Sequence, residues 1–300
     1  LPNQPMAEVF GFRINDLSSE AERYRQHQLC PFNNKVPSCT KDKANDPLGV
    51  CSIYNGDSVA ITCPVRFRQD WLIATDAAAF FFPKGTKWTS LTEVRLNDRY
   101  GKSAGNIDVV LVAYDDEGQV LDFGALEVQA VYISGNVRKP FAYYMQNPAS
   151  HTTMDWSAAR DFPRADFLSS SRKRLAPQLM YKGGILHSWN RKMAVAMDSG
   201  FFAGLPTLPQ VSASQADVAW LIYDLQLNEQ SNRYQLTCTQ TIYTQFTTAL
   251  QRITTAESGE ETDFLRVLQR KLNEKQAGAT LVSDTTSLID IFAEDDTSAE

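Results

Sequence analysis

The chain has 300 residues, 43% of them hydrophobic, and a formal net charge of −6. That can bury a sizeable core in one large domain or two modest ones. No apolar run approaches the ~20 residues that span a bilayer, so no membrane helix is expected, and an odd count of five cysteines argues against a disulfide framework.

The charge is unevenly spread. Residues 251–300 carry eleven acids and five bases, leaving 24 of each elsewhere, and 151–200 holds eight Lys/Arg against four Asp. A basic band on a neutral body is compatible with local contact to a polyanion. The opening Leu1-Pro-Asn-Gln-Pro5 lacks the basic-then-apolar order of a signal peptide, so export is not expected.

In chain order, the first 75 or so residues are loop-rich and hold four of the five cysteines. Ala77-Ala-Ala-Phe-Phe-Phe-Pro83 then leads into a predicted helix, with Ser90-Leu-Thr-Glu93 as its capping box. Two predicted strands follow, Ile107–Tyr114 and Val120–Tyr132, joined by the turn residues Asp115-Asp-Glu-Gly118 as a hairpin. A polar stretch, 134–171, reads as a long connection of the kind that is usually functional or mobile. Residues 172–198 look helical but interrupted at Pro177 and Gly183-Gly184. Strands are expected at Val218–Asp224 and Tyr234–Ile242, a helix near 243–253, and a charged amphipathic helix over 262–276. The acidic end reads as a frayed tail, a dimer element or a guard over the basic surface. The domain division expected from these textures is 1–76, 77–255 and 256–300.

The hairpin carries the first candidate chemistry. If Asp115 and Gly118 flank a two-residue turn, Asp108 lies opposite Ala125, and Glu127 is a diagonal neighbour within ~7–8 Å. Glu127 and Gln129 are one residue apart and share a face, while Leu126, Val128 and Ala130 point into a core. Two carboxylates and an amide at one spot suit magnesium, a hard cation that takes carboxylate oxygens and a substrate phosphate. Gln129 does not titrate, so its role would be to orient. Acids beside hairpins are common, and this spacing alone does not separate a site from a solvated turn. Glu93 is a possible further member, set against its capping role.

Cys30, Cys39, Cys51 and Cys63 are spaced by 8, 11 and 11 residues, with no Cys-x-x-Cys, so an ordinary zinc ribbon is excluded. Cys30-Pro31, Cys63-Pro64 and Gly49 before Cys51 are turn contexts that can aim thiolates at a shared metal, zinc or iron. The alternative is four reduced, buried cysteines. Cys238 reads as core.

Together the four cysteines and Glu127-Val-Gln129 resemble the NotI-type restriction endonucleases. The likeness starts at Ala7-Glu-Val-Phe-Gly-Phe-Arg13 and runs through Cys30-Pro-Phe32, Ser38-Cys39, Gly49-Val-Cys51 and Cys63-Pro64. It returns at Ile107-Asp108, Leu126-Glu-Val-Gln129, the 172–198 stretch and the paired late strands. The resemblance implies an α/β fold, an α+β-like mixed sheet flanked by helices with a PD-(D/E)xK nuclease core, beside a loop-rich N-terminal metal-binding domain. It implies one structural iron, or zinc, on Cys30, Cys39, Cys51 and Cys63. It also implies catalytic Asp108, Glu127 and Gln129 with Glu93 as an upstream acid, and magnesium on Asp108 and Glu127. The expected protein is a bacterial, cytoplasmic type II enzyme, a homodimer cutting double-stranded DNA at a short GC-rich palindrome with a GGCC core and leaving 5′-phosphates. A paired host DNA methyltransferase would protect the genome.

Within 134–192, Arg138, Lys139, Arg160, Arg164, Arg172, Lys173, Arg174 and Lys182 are the candidate DNA contacts, since arginine to guanine is the commonest specific pairing. The alternative for them is a solvated basic loop, and roughly half are expected to touch DNA. A metal-stabilised DNA-binding protein without cleavage explains the cysteines and basic band but leaves the acidic hairpin face unexplained. A repair or homing-type nuclease on the same core stays open. An HNH nuclease is disfavoured, because His27, His151 and His187 form no His-Asn-His pattern.

Overall fold

Long alternating apolar stretches lay down the central sheet, seen in a computed structural model that describes residues 3–43 and 45–279. Strands β5 (Trp88–Asn97), β6 (Ser103–Tyr114) and β7 (Val120–Gln129) form an antiparallel meander. Strand β10 (Met193–Asp198) pairs parallel to both β7 and β11 (Val218–Asn228), and β12 (Arg233–Thr244) closes the sheet antiparallel to β11. The resulting six-stranded mixed sheet has the order β12-β11-β10-β7-β6-β5. Helices flank it on both faces, giving the expected α/β fold. Across the 134–171 connection lie a helix, Arg138–Gln146, and the small ladder of β8 (Tyr132–Ser134) with β9 (Arg164–Asp166).

Several local expectations gave way to tertiary partners. The Ala77–Phe82 run ends a helix, Leu72–Phe81, rather than leading into one. Phe82 is extended (φ −121, ψ 151), as the residue before a proline must be. Ser90 and Glu93 form no capping box. They lie in β5, where β-branched neighbours and a full ladder with β6 outweigh a short local motif. Met193–Asp198, expected as helix, is the central strand: it is buried along its whole length, and a short apolar run buried on both faces carries no period. Finally, the helical run 167–188 passes through Pro177 instead of breaking. Two π turns, Ser171–Leu175 and Leu179–Gly183, flank Ala176–Gln178. A proline has no N–H to donate and crowds the carbonyl four residues back, which the wider turn relieves.

On one face, the Leu72–Phe81 helix lies so close to β7 that a Cβ added at Gly124 would stand 2.4 Å from the Phe81 ring. The opposite face is covered by the 167–188 run, whose Leu175, Leu179 and Leu186 share an apolar cluster with Val110, Val195 and Trp220. Both layers hold their elements rigidly against the sheet.

The N-terminal residues, expected to be loop-rich, form a four-stranded sheet of order β2-β1-β3-β4: β1 (Met6–Val9), β2 (Phe12–Arg13), β3 (Val50–Asn55) and β4 (Ser58–Ile61). They belong to one compact unit, Leu1–Thr255, with the six-stranded sheet. A fully buried ion pair, Arg66 Nε to Glu8 Oε2 at 3.1 Å, joins them, and Arg66 Nη2 also donates to the Tyr234 carbonyl at 2.8 Å. The second unit is Ala256–Glu300, whose described residues, 256–279, include the helix Glu261–Ala279. The remainder of the expected acidic tail lies outside the described residues. No helix among the described residues is long and apolar enough to cross a membrane.

Asp198, 2% exposed at the end of β10, accepts from Ile61 N at 3.0 Å and from Gly200 N and Phe201 N at 2.9 and 3.2 Å. Asp198→Ala strands these buried donors, so the urea midpoint should fall by an amount equivalent to about 1–3 kcal/mol, with the slope unchanged.

Candidate active site

The geometry starts at the hairpin loop. Asp115 Oδ1 accepts from Glu117 N and Gln119 N, and Asp115 N donates to the Gln119 carbonyl, so the loop closes at residue 119. This corrects the expected register. Val109 pairs with Leu126 and Val110 with Ala125, with an irregularity between Ala113 and Tyr114. Asp108 is therefore level with Glu127 rather than Ala125. At that level the Val128 N–H donates to Asp108 Oδ2 at 2.7 Å, so a side chain takes the place of the next ladder bond.

On the other side, Thr92 pairs with Val109 and Val94 with Ile107, which brings Glu93 level with Asp108. Glu93 has a left-handed backbone (φ 58) within an otherwise extended strand. Such a conformation costs ~1–3 kcal/mol in a non-glycine residue and concentrates at functional sites. Its half-exposed carboxylate is 4.0 Å from Arg68 Nη2. Three neighbouring strands thus present Glu93, Asp108 and Glu127 at one level, with Gln129 two residues beyond.

Burial sets the electrostatics. Glu127 is fully buried, and its carboxyl is pushed up to about 8, first by desolvation and then by the charge of Asp108, against the opposing pull of Lys182. Asp108 is also raised by burial, opposed mainly by the Val128 N–H. Glu127 Oε1 has no hydrogen-bond partner. Two carboxyl groups crowded in a low-dielectric setting favour either a shared proton or a cation.

The 167–188 run completes the cluster. Lys182, expected among the DNA contacts, is 4% exposed, and its Nζ lies 2.5 Å from Glu127 Oε2 and 2.8 Å from the Asn106 carbonyl. One helical turn earlier, Gln178 accepts from Gln129 Nε2. Neither contact was visible in the sequence, because nothing in the spacing of residues 178 and 182 points to 127 and 129.

The other expected DNA contacts divide into two groups. Arg138 is paired with Asp42 and Asp46 at 2.5 and 2.9 Å, and Lys139 with Asp161 at 2.8 Å. Arg160, Arg164, Arg172, Lys173 and Arg174 are exposed, and none forms an ion pair among the described residues. Arg174 stacks over the Tyr132 ring.

Cys30, Cys39, Cys51 and Cys63 line one cavity together with Phe10, Phe32, Leu48 and Lys41. Burial raises the thiol of Cys30 to about 11 and also raises Cys39 and Cys51, with neighbouring cysteines adding to each shift. Among the described residues, no three His, Cys, Asp or Glu side chains stand in the arrangement of ligands to one ion. The cysteines are thus gathered but not drawn together as a ligand set.

A protein-family model described as Restriction endonuclease NotI matches residues 8–236, most of the chain. No curated protein matches.

The raised Glu127 carboxyl has a consequence for stability. The unfolded chain releases that proton near the ordinary glutamate value of 4.5 and the folded chain near about 8. Folding therefore favours the protonated form, and stability falls as pH rises between those values. In EDTA the wild type should lose stability over this window relative to Glu127→Gln, by at most about 1.4 kcal/mol per pH unit. Thermal melts across the window check this; parallel curves for the two proteins would assign the proton elsewhere.

Proposed function

Because the chain belongs to the NotI restriction endonuclease family and is a site-specific deoxyribonuclease acting on double-stranded DNA, we propose that its phosphodiester chemistry is carried by Asp108, Glu127 and Gln129 with magnesium. The observation that carries this reading is the level placement of Asp108 and Glu127 across the β6–β7 hairpin, with Gln129 on the same face.

The donor set fits a hard divalent cation. The buried Glu127 and the partly buried Asp108 raise each other's affinity for positive charge, and Glu127 Oε1 is without a hydrogen-bond donor. When bound by Asp108 and Glu127, magnesium supplies Lewis acidity toward a phosphate oxygen and a water of lowered pKa. Gln129, as a neutral amide, orients a water or phosphate oxygen, and Gln178 holds that amide in place. Glu93 lies level with the pair on β5 and acts from the more exposed side without joining them as a ligand, its left-handed backbone setting where that side chain leaves the strand.

Exposed Arg160, Arg164, Arg172, Lys173 and Arg174 contact DNA, while Arg138 and Lys139 do so only after leaving Asp42, Asp46 and Asp161. The substrate is a short GC-rich palindrome with a GGCC core, cut by a homodimer to leave 5′-phosphates, and a companion methyltransferase shields the host genome. This part of the reading rests on the family resemblance. Cys30, Cys39, Cys51 and Cys63 hold one structural iron, or zinc. Their shared cavity supports this, and on metal binding the buried thiols would bind as thiolates and release their protons to solvent.

Mixed-sequence plasmid DNA incubated with the protein and Mg²⁺ should yield discrete fragments that EDTA abolishes. Intact DNA with a salt-sensitive gel shift would instead favour a binding protein without cleavage. Asp108→Ala or Glu127→Ala should reduce cleavage at least ~100-fold while leaving DNA binding in Ca²⁺ intact; normal cutting by either variant would refute the assignment.

Elemental analysis should find about one iron or zinc per chain. Cys→Ser at any of the four positions should release that metal and cause unfolding before any specific catalytic defect.

A further inference from the structure

Lysine is almost never fully buried unless it is paired. Lys182 is 4% exposed, and its ammonium bridges Glu127 Oε2 at 2.5 Å and the Asn106 carbonyl at 2.8 Å. Residues four apart on a helix share a face, as do residues two apart on a strand. Gln178 and Lys182 therefore meet Gln129 and Glu127 as two parallel contacts between the helical run and β7. Lys182 lies in the π turn Leu179–Gly183, and π turns frequently mark functional positions. The same turn is pressed from outside by Phe246, whose ring would stand 2.5 Å from a Cβ at Gly183. The lysine is thus delivered to the site by a packed, re-phased helix rather than by a free surface side chain.

We propose that Lys182 is a positioning residue of the nuclease site: its ammonium balances the paired carboxylates and fixes Glu127 until a divalent cation takes over that charge. The inference rests on the nuclease reading of the hairpin. It adds that the metal-free protein carries a built-in cation at Glu127 Oε2, and that a metal entering at the pair meets this like charge beside it. A lysine that only stabilised the fold would behave differently, because its loss would weaken metal binding and packing together.

Lys182→Met keeps the length of the side chain and removes its charge. Mn²⁺ binding to the metal-free variant, followed by calorimetry, should tighten at least roughly fivefold because a repelling charge is gone. Cleavage of saturating plasmid DNA in Mg²⁺ should nevertheless slow by ~10–100-fold, since Glu127 is no longer held in line. DNA affinity in Ca²⁺ should stay within about twofold of wild type. Mn²⁺ affinity that is unchanged or weaker, or cleavage at the wild-type rate, would overturn the proposal. Should Lys182→Met fail to fold, the double variant with Glu127→Gln removes both charges and is expected to fold and melt cooperatively in EDTA; failure of both overturns it. A wild-type protein that never cuts DNA would end the nuclease reading, yet the Mn²⁺ and stability measurements would still decide the placement of the cation.

Discussion

The structure depends on crowding two carboxyl groups side by side, Glu127 fully buried and Asp108 partly so. Asp108 and Glu127 lie level on adjacent antiparallel strands, in surroundings dry enough to push Glu127 up to about 8. A buried charge without a partner is among the costliest things a fold can hold. Every neighbouring feature bears on that cost. The Val128 N–H turns into Asp108 rather than into the ladder, the Lys182 ammonium meets Glu127, and one Glu127 oxygen is left over.

The architecture around the pair explains how it is held. The site sits on the face of β6 and β7 that the 167–188 run covers. The other face of β7 is sealed by the Leu72–Phe81 helix, which approaches so closely that only glycine fits at residue 124. Parallel pairing of β10 against β7, with Val195 opposite Glu127 and Met197 opposite Gln129, fixes the strand from its far side. Side chains on interior strands, clamped from three directions, are positioned more precisely than side chains on loops.

The N-terminal sheet is tied to this core by charge as well as by packing. Arg66 and Glu8 are both fully buried, and the arginine also reaches the Tyr234 carbonyl in β12. The four cysteines gather beneath this sheet in a cavity with aromatic and aliphatic walls. Thiols in such a place are poor nucleophiles, because burial raises their pKa. A structural role fits their setting better than a reactive one.

Much of this was legible from local pattern. The β6–β7 hairpin, the late strand pair and the terminal amphipathic helix show their periods over long stretches, and the cysteine spacing with Glu127-Val-Gln129 points to the family. Glu127 and Gln129 could be singled out because same-face spacing along one strand follows from the backbone alone, and Asp108 because it lies on the strand that the hairpin turn pairs with theirs. The hairpin register could not, since one side-chain-capped loop at Asp115 moved it by two positions and brought Asp108 level with Glu127. The central strand Met193–Asp198 carries no period because it is buried on both faces, and the Ser90–Glu93 motif gave way to a sheet partner. Lys182 and Gln178 lie some fifty residues from their partners, and only packing of the helical run brings them there. Sequence determined the chemistry on offer, because residue type and local spacing are written along the chain. Which groups meet, and which are denied water, was decided by tertiary contacts between segments that no local pattern relates.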